Sequence, residues 1–198
     1  AETFHQGYAC VYKDGKFGHI DQTGREIVPP RYDLSSCGEM PYYFFHDGYA
    51  ILELADSSII LDTQGNVVFE QPWNEKGMYY SIEWCDLGAG LVWYSQWPEK
   101  DFQGRRYGLM MADGTKLTEA IWEEYTDREW EDGIFFDLEG LQAVKQSDLW
   151  GYMDAAGAER LPFVWDDAYN FANGLARVEK GGKMAYINHS GYVVWQEK

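Results

Sequence analysis

The sequence predicts an all-β protein made of five tandem units, each a three-stranded antiparallel meander. Three observations lead to this fold class. A frame with two glycines recurs five times, apolar and polar residues alternate with period two inside the frame, and no segment shows a capped helical pattern. With 198 residues and 45% hydrophobic content, the chain can bury a continuous core. We therefore expect one repeat domain over residues 1–198.

The frame begins with an aromatic residue and, after two intervening residues, a glycine; an apolar run, a polar turn and a second glycine follow. The two glycines are 17 residues apart in four copies and 24 apart in the third, which therefore carries a seven-residue insertion. A fixed internal spacing with a variable outer period is typical of structural units joined by loops. The approximate units and their glycines are 4–44 (Gly7, Gly24), 45–86 (Gly48, Gly65), 87–135 (Gly90, Gly114), 136–170 (Gly140, Gly157) and 171–198 (Gly174, Gly191).

The last copy shows the strand pattern most clearly. Residues 175–179, 184–188 and 192–195 alternate as strands do. Gly181 and Gly182 close the first hairpin, because paired glycines accept the positive φ angles of primed turns. A return segment such as 27–33 follows the meander. The segment 116–130 is the nearest approach to a helical stripe, although its Trp and Tyr content also suits a strand.

The second turn of most copies reads Asp or Asn, two residues, then Gly. The side chain at the first position caps the turn, and the glycine takes the left-handed conformation. The acidic residues of these turns are therefore predicted to build turns and not to catalyse. The glycines predicted to have positive φ are Gly24, Gly65, Gly157 and Gly191.

Stacking of the units follows from their shape, because a single meander cannot bury both of its faces. A ring would remove the exposed edges of the first and last units. We favour a curved or toroidal, propeller-like array, with an open β-repeat stack as the alternative.

The repeated frame resembles the WG-repeat family of bacterial proteins. In the last copy it reads Gly-Leu-Ala-x-Val, and the two residues that name the family are intact in the fourth copy. The resemblance implies an all-β array, usually bacterial and often exported, with no defined reaction and no functional residues to transfer. We therefore expect a secreted or cell-surface protein, with the cytoplasm as the alternative. The naming dipeptide and its equivalents are Trp150-Gly151, Phe17-Gly18, Tyr107-Gly108, Ser58-Ile59 and Met184-Ala185.

The charge of the chain restricts the partners that it can bind. Its formal net charge is −17, and nine carboxylates lie between residues 119 and 140 against the single base Arg128. An acidic surface does not bind nucleic acid or anionic membranes, since both carry negative charge. No apolar run approaches the roughly 18 residues needed to span a bilayer, so we expect no membrane insertion. A basic protein partner is the favoured class.

No set of residues in the sequence suggests catalysis or metal binding. The four histidines lack metal-ligand spacing, and nucleotide-binding and hydrolase motifs are absent. The cysteines (Cys10, Cys37 and Cys85) are too few and too scattered for a disulfide framework or a zinc site, and Cys10 reads as a buried small residue. We therefore expect no enzyme activity, no cofactor and no metal.

The aromatic content is high, with nine Trp, fifteen Tyr and ten Phe. The frame residues Phe4, Phe45, Phe136 and Phe171 are predicted to fill the core between units. Other aromatics surround the third copy, whose insertion (about 95–106) is not needed for stacking and is expected to protrude. At least one of Trp97, Trp122 and Trp130 should be exposed. The candidate binding residues are Trp93, Trp97, Phe102, Trp122, Glu123, Glu124, Trp130, Glu131 and Asp132.

Three function hypotheses follow from these features. The first is a non-enzymatic protein-interaction or ligand-binding module that uses this acidic, aromatic-rich surface. The second is an acidic immunity or inhibitor-type protein that neutralises a basic toxin or nuclease, whose binding would depend on salt. The third is a carbohydrate-binding module that stacks Trp and Tyr rings on sugars.

Overall fold

The structure is a computed structural model that describes residues 4–33, 45–84, 90–126 and 139–198. These residues form strands, and the described part holds one short 3-10 turn (Phe102–Gly104) and no α-helix. The all-β prediction is therefore confirmed. In chain order the strands are β1 (Tyr8–Lys13), β2 (Lys16–Asp21), β3 (Glu26–Tyr32), β4 (Tyr49–Glu53), β5 (Ser57–Asp62), β6 (Val67–Pro72), β7 (Asn74–Glu75), β8 (Met78–Trp84), β9 (Leu91–Pro98), β10 (Arg106–Met111), β11 (Glu124–Tyr125), β12 (Gln142–Gln146), β13 (Leu149–Met153), β14 (Glu159–Trp165), β15 (Asp167–Ala168), β16 (Leu175–Lys180), β17 (Lys183–Asn188) and β18 (Val193–Gln196).

The strands form five antiparallel sheets in sequence order. Sheets 1 and 2 have three strands, in the orders β1-β2-β3 and β4-β5-β6. Sheets 3, 4 and 5 have four, in the orders β10-β9-β8-β7, β11-β12-β13-β14 and β15-β16-β17-β18. The three strands predicted for the last copy are β16, β17 and β18, and the paired glycines of their first hairpin have φ of 60° and 72°. The array is propeller-like, since consecutive meanders follow one another as blades do.

The return segments belong to the next sheet. β11 and β15 follow the preceding meander in sequence, yet they pair with β12 and β16 of the sheet that comes next. β8 does the same with β9 over seven residue pairs, from Met78↔Pro98 to Trp84↔Val92. The described part of the segment 116–130 contains a bridge between Tyr107 and Trp122 and then β11, so it continues the strand pattern and is not helical.

The turns at the second glycines have the predicted geometry. Gly24, Gly65, Gly157 and Gly191 have φ of 83°, 79°, 76° and 77°, which confirms the register assigned to the repeats. In the first of these turns the Asp21 carboxylate accepts hydrogen bonds from the backbone N–H groups of Thr23 (2.9 Å) and Arg25 (3.1 Å). The hydroxyl of Thr23, together with these backbone donors, lowers the pKa of Asp21. The carboxylate is thus occupied in holding the turn.

The faces of the sheets alternate between the preceding and the following sheet. On β16, for example, Ala176 and Val178 are buried against sheet 4, while Leu175 and Arg177 point to the opposite face. Each pair of consecutive sheets encloses one apolar core. Central residues of these cores are Leu52 and Leu61 (sheets 1 and 2), Ile60 and Met110 (sheets 2 and 3), Trp93 and Val144 (sheets 3 and 4), and Tyr152 and Ile187 (sheets 4 and 5).

The frame aromatics fill these cores where a preceding sheet exists. Phe45 is 1% exposed and lies 4.5 Å from the Tyr8 ring of sheet 1, measured between ring centroids. Phe171 is 2% exposed and lies 5.0 Å from the Tyr152 ring of sheet 4. Phe4 departs from the prediction, because it is 43% exposed and no sheet precedes it. Phe136 lies outside the described residues.

In the part of the chain that the structure describes, the two ends of the array share no apolar core. Within the described residues, none of the apolar cores joins sheet 5 to sheet 1. The outer face of sheet 5 instead leaves Leu175, Tyr186 and Trp195 exposed by 36%, 37% and 48%. The described part is therefore a propeller-like array in which no apolar core joins the last sheet to the first.

Prolines lie in the outer edge strands of sheets 1, 2 and 4. β3 contains Pro29 and Pro30, β6 ends at Pro72, and β14 contains Pro162. Because proline has no N–H group, it prevents an edge strand from pairing with another strand. β18, the edge strand of sheet 5, has the sequence VVWQ and contains no proline.

Two further findings concern single residues and the membrane. Cys10 is 4% exposed and lies in the core between sheets 1 and 2, as expected of a buried small residue. Cys37 and Cys85 lie outside the described residues.

Among the residues that the structure describes, no helix has the length and the apolar character required to cross a bilayer.

The turn glycines provide a matched pair of substitutions. Gly157→Ala would place a Cβ atom 2.2 Å from the Thr118 Cγ2 atom, whereas Gly24→Ala meets no atom within 4 Å. Both residues have positive φ, so both variants should lose about 1 kcal/mol of unfolding free energy from backbone strain. Gly157→Ala should lose a further ~1–3 kcal/mol because it overpacks the contact between two sheets. Urea unfolding of the two variants measures the difference, and equal losses would contradict the contact.

Candidate functional site

The hairpin between β9 and β10 is the largest departure from the repeat. The seven extra residues lengthen β9 to Pro98 and add the 3-10 turn Phe102–Gly104 before β10 begins. The Asp101 carboxylate holds this turn by accepting a hydrogen bond from the Gly104 N–H at 3.1 Å. The corresponding hairpin of sheet 1 turns in two residues, Asp14 and Gly15. Residues 98–103 are exposed, so the inserted segment protrudes as predicted.

Two aromatic rings of this hairpin lie together with a third ring from β8. The Trp97 ring stacks on Tyr79 of β8, with ring centroids 5.9 Å apart and planes 14° apart. The edge of Phe102 meets the same indole at 5.7 Å. Trp97 is half-buried by these contacts, while Phe102 is 61% exposed. We call the residues Tyr79, Trp97, Phe102 and Arg105 the hairpin surface.

Arg105 fixes the rings in place. Its guanidinium carbon lies 4.8 Å from the centroid of Trp97 and 5.9 Å from that of Phe102. The Nε atom donates a hydrogen bond to Ser95 Oγ (2.9 Å), and a terminal nitrogen donates to a Glu83 carboxylate oxygen (2.8 Å). A cation held over aromatic faces is attracted by their electron density, by about 0.5–2 kcal/mol per ring. Arg105 thus links the two rings to Ser95 and Glu83 within the single molecule.

Glu83 connects the hairpin surface to the next sheet. Its second carboxylate oxygen accepts a hydrogen bond of 2.5 Å from the Tyr125 hydroxyl on β11 of sheet 4. The Glu83 carboxylate also affects Glu53 of sheet 2. The partial burial of Glu53, and then the negative charge of Glu83, raise the pKa of Glu53. The charge of Arg105 is therefore balanced inside the cluster, and Phe102 presents an apolar ring to solvent.

Two of the predicted binding tryptophans belong to the core. Trp93 and Trp122 are each 2% exposed and meet edge to face at 5.7 Å, between sheets 3 and 4. Trp93 also stacks on Tyr125 at 4.6 Å. Strand alternation places Trp93 on the same face as Leu91, which sheet 4 covers. This corrects the expectation of an exposed surface at these two positions, and neither is part of the hairpin surface.

Two of the carboxylates predicted to bind a partner, Glu123 and Glu124, make contacts within the structure. Glu123 accepts hydrogen bonds from the backbone N–H groups of Ser147 (3.2 Å) and Asp148 (3.1 Å), which form the first hairpin turn of sheet 4. Glu124 is exposed and lies 3.1 Å from Lys145 Nζ on β12. The remaining predicted site residues, Trp130, Glu131 and Asp132, lie outside the described residues.

Arg105 and Glu83 are the residues that the sequence did not single out. Arg105 is one of two adjacent arginines inside an acidic, aromatic region, and that pairing was the available signal. No signal in the sequence pointed to Glu83, because its partners Arg105 and Tyr125 are 22 and 42 residues away along the chain.

A second polar cluster lies in an open cleft between sheets 4 and 5. Glu139 and His189 line this cleft with Asp154 and Arg160. His189 Nε2 is 3.2 Å from a Glu139 carboxylate oxygen, and the same carboxylate accepts a hydrogen bond from Gly174 N–H. Glu139 thus helps to join the two sheets. Over the described ranges, no group of His, Cys, Asp and Glu side chains has the geometry of a metal site.

Comparison with known sequences agrees with the repeat architecture. The fold defines a tandem β-repeat module. Residues 17–55 and 150–183 match the family described as "WG containing repeat", and this match confirms the resemblance noted in the sequence. No curated protein matches the chain closely enough to be called a relative.

Comparison with solved structures finds similar chains at low sequence identity. A crystal structure of "the eukaryotic initiation factor" is 12% identical, covers 99% of this chain and 52% of its own, and has a TM-score of 0.57. This chain therefore spans about half the length of that protein. Hsv2 from Kluyveromyces lactis is 12% identical over 98% of this chain and 60% of its own, with a TM-score of 0.44. A protein of unknown function from Bacteroides caccae is 12% identical over 96% and 72%, with a TM-score of 0.36. The likeness to the initiation factor concerns the fold alone.

The raised pKa of Glu53 leads to a pH-dependent prediction. A carboxyl whose pKa is higher in the folded state destabilises the fold once it is charged, that is, above its unfolded pKa. Glu53→Gln should therefore raise the unfolding free energy near pH 7, by less than about 1 kcal/mol after allowance for solvent screening. The gain should disappear below about pH 4, where the unfolded carboxyl is protonated as well.

Thermal unfolding of wild type and variant at both pH values measures this effect. Glu99→Gln, on the exposed part of the hairpin, serves as the control. An equal gain at pH 4 and pH 7, or a loss at pH 7, would contradict the assignment.

Proposed function

We propose that the chain is a non-enzymatic interaction module that binds a protein partner through the hairpin surface. The observation that carries the proposal is Phe102, an apolar ring 61% exposed at the tip of a hairpin that stacking does not require. A rigid aromatic side chain supplies contact area at low entropic cost and is favoured at the centre of interfaces. Trp97 and Arg105 beneath it hold the ring in one position, which reduces the entropy lost on binding.

The surroundings of Phe102 favour a basic partner. Glu99 and Asp101 are exposed on either side of Lys100. Residues 34–170 hold 26 acidic and eight basic residues, a formal net charge of −18 within a chain of −17. Such a field attracts a cationic surface and accelerates its association. The partner should therefore present an apolar pocket bordered by Lys or Arg.

The acidic inhibitor hypothesis is a special case of this interaction. A basic toxin or nuclease would meet the same charges, and its binding would weaken steeply with salt. An exported location fits either case and is part of the proposal.

Carbohydrate binding is less favoured by the arrangement of the rings. The Trp97 ring stacks on Tyr79 and also contacts Phe102 and Arg105, so it is not a free platform for a sugar. Phe102 alone remains as an exposed ring of the hairpin surface.

Substitution of Phe102 tests the proposal. We expect Phe102→Ala to weaken partner binding at least tenfold, because it removes the central apolar contact, and to leave the thermal midpoint within a few degrees of wild type. The control is Tyr12→Ala, which truncates another exposed aromatic ring, on sheet 1. Wild type and both variants are immobilised, and the proteins recovered from an extract of the source organism are compared by mass spectrometry.

The proposal is supported by a protein that wild type and Tyr12→Ala recover and Phe102→Ala does not. If added salt releases that protein, the result supports a partner with a basic surface. The proposal fails if every specifically recovered protein is retained by Phe102→Ala. Retention on immobilised polysaccharide that is insensitive to salt and lost in Phe102→Ala would instead favour the carbohydrate-binding module.

A further inference from the structure

The aromatic-glycine dipeptide occurs in three of the five sheets. In every sheet this position lies on the second strand of the first hairpin, so the strand before it pairs with one side and the later part of the meander pairs with the other. The dipeptide is Phe17-Gly18 in sheet 1, Tyr107-Gly108 in sheet 3 and Trp150-Gly151 in sheet 4, and its equivalents are Ser58-Ile59 in sheet 2 and Met184-Ala185 in sheet 5.

In the three sheets that have the glycine, the strand that follows bulges opposite it. In sheets 1 and 4, a step of two residues past the glycine faces a step of four residues on the third strand. In sheet 3, a step of three residues faces a step of six. The extra residues define a bulge. The pairs that bracket it are Phe17↔Tyr32 and His19↔Val28, Trp150↔Trp165 and Tyr152↔Leu161, and Tyr107↔Trp122 and Met110↔Lys116.

The two sheets without the glycine are regular at the same position. One residue faces one residue there, and the register shifts only nearer the second turn, where sheets 1 and 4 shift as well. The presence of the glycine and the presence of the bulge therefore coincide in all five sheets. The regular pairs are Ser58↔Gln71 and Ile59↔Glu70 in sheet 2, and Ala185↔Gln196 and Tyr186↔Trp195 in sheet 5.

The bulge occupies the space that a side chain would need. A Cβ atom on Gly18 would lie 2.3 Å from the backbone oxygen of Val28, at the start of the bulge. One on Gly151 would lie 2.9 Å from the backbone oxygen of Leu161 and 2.9 Å from the Phe163 ring. Contacts this short force the backbone to move, and a glycine inside a strand is typical of such a close approach.

In sheet 3 a tyrosine connects the glycine to the bulge. The ring of Tyr94 lies over Gly108, where a Cβ atom would be 2.6 Å from it. The hydroxyl of Tyr94 donates a hydrogen bond of 2.7 Å to the backbone oxygen of Thr118, inside the bulged segment. The glycine thus makes room for the ring that holds this bulge.

The segment that enters the next sheet begins directly after the bulge. In sheet 4 the bulged strand ends at Trp165, and the carboxylate of Asp166 accepts a hydrogen bond of 2.6 Å from the N–H of Gly181, in the first hairpin turn of sheet 5. β15 of sheet 5 starts at the next residue. In sheet 3, Glu123 follows Trp122 and holds the first hairpin turn of sheet 4 in the same way, and β11 starts after it.

Sheet 2, which lacks the glycine, is connected to the next sheet differently. Its third strand remains paired up to Ser57↔Pro72, at the far end of β5. The chain then forms the additional hairpin β7-β8 before β8 pairs with β9 of sheet 3. A regular third strand is therefore followed by a longer connection, whereas a bulged one is followed by a connection of two residues.

We propose that the glycine of the dipeptide permits the bulge that turns the third strand out of its own sheet and passes the chain to the next sheet. A bulge bends a strand and increases its twist, which is the change of direction that this passage requires. The bulges of sheets 1 and 4 contain Pro29, Pro30 and Pro162, and bulges are among the few places in a sheet that accept proline. The dipeptide is thus a joint between consecutive sheets.

Replacement of Gly151 tests the joint between sheets 4 and 5. Gly151→Ala places a methyl group against the bulge, so the segment 166–169 should lose its contacts with sheet 5. Three backbone amides report on these contacts: those of Asp166, Tyr169 and Gly181, which donate to Glu179, Arg177 and Asp166. We expect their hydrogen exchange, measured by NMR, to be at least tenfold faster than in wild type.

Two controls separate the joint from a general loss of stability. Gly18→Ala makes the same substitution in sheet 1 and should leave the three amides unchanged. Met153→Ala truncates a buried residue of β13 in the core between sheets 3 and 4, so it weakens sheet 4 without adding an atom at the bulge. It should accelerate exchange in that core more than at the three amides. If Gly151→Ala does not fold, Gly151→Ala/Phe163→Ala replaces it, because this variant lacks the ring that the methyl group would meet.

The comparison of the variants decides the proposal. It is supported if the three amides exchange faster in the Gly151 variant, less so in Met153→Ala, and not in Gly18→Ala. Exchange at the wild-type rate in the Gly151 variant would show that the joint does not need the glycine. Equal acceleration by Met153→Ala would attribute the effect to lost packing. If neither Gly151 variant folds, the glycine is required by sheet 4 as a whole, and the proposal of a joint is rejected.

Discussion

The structure depends on one constraint: a three-stranded meander has two apolar faces, and an inner sheet of the array buries both against its neighbours. Each strand sends alternate side chains to opposite faces, so Val144 enters the core with sheet 3 while Ala143 enters the core with sheet 5. Full burial of an aliphatic side chain such as Ile60 or Leu61 contributes about 1.5–3 kcal/mol. No single sheet is stable by these terms alone, and the repetition of the sequence follows from the need for neighbours.

The same constraint explains where variation is tolerated. Most positions between sheets are occupied by apolar side chains or by glycine, whereas the hairpin tips lie beyond the stacked faces. The third copy uses this freedom: its insertion lengthens β9 without disturbing Trp93 or Leu109 in the core below. A hairpin surface held by Arg105 therefore stands on a scaffold whose packing does not require it.

Local patterns of the sequence were sufficient to predict the strands and turns. The alternation in residues 175–179 predicts β16, and the Asp-x-x-Gly spacing predicts the positive φ of Gly24, because both signals depend on neighbouring residues. The site could be predicted only in part. Phe102 and the insertion were visible as departures from the frame. The burial of Trp122 and the contact of Glu83 with Tyr125 were not, because they depend on how sheets 3 and 4 meet.

The prolines of the outer strands affect how the chain behaves while it is being synthesised. Pro29 and Pro162 leave gaps in the row of N–H donors on β3 and β14, so a newly made sheet cannot template a foreign strand while it waits for its neighbour. β18 lacks this protection and combines Val193, Val194 and Trp195 in one short segment. Under conditions that loosen the chain, the carboxyl-terminal strand is where non-native aggregation would begin, and a charged residue in place of Val194 would act as a gatekeeper there.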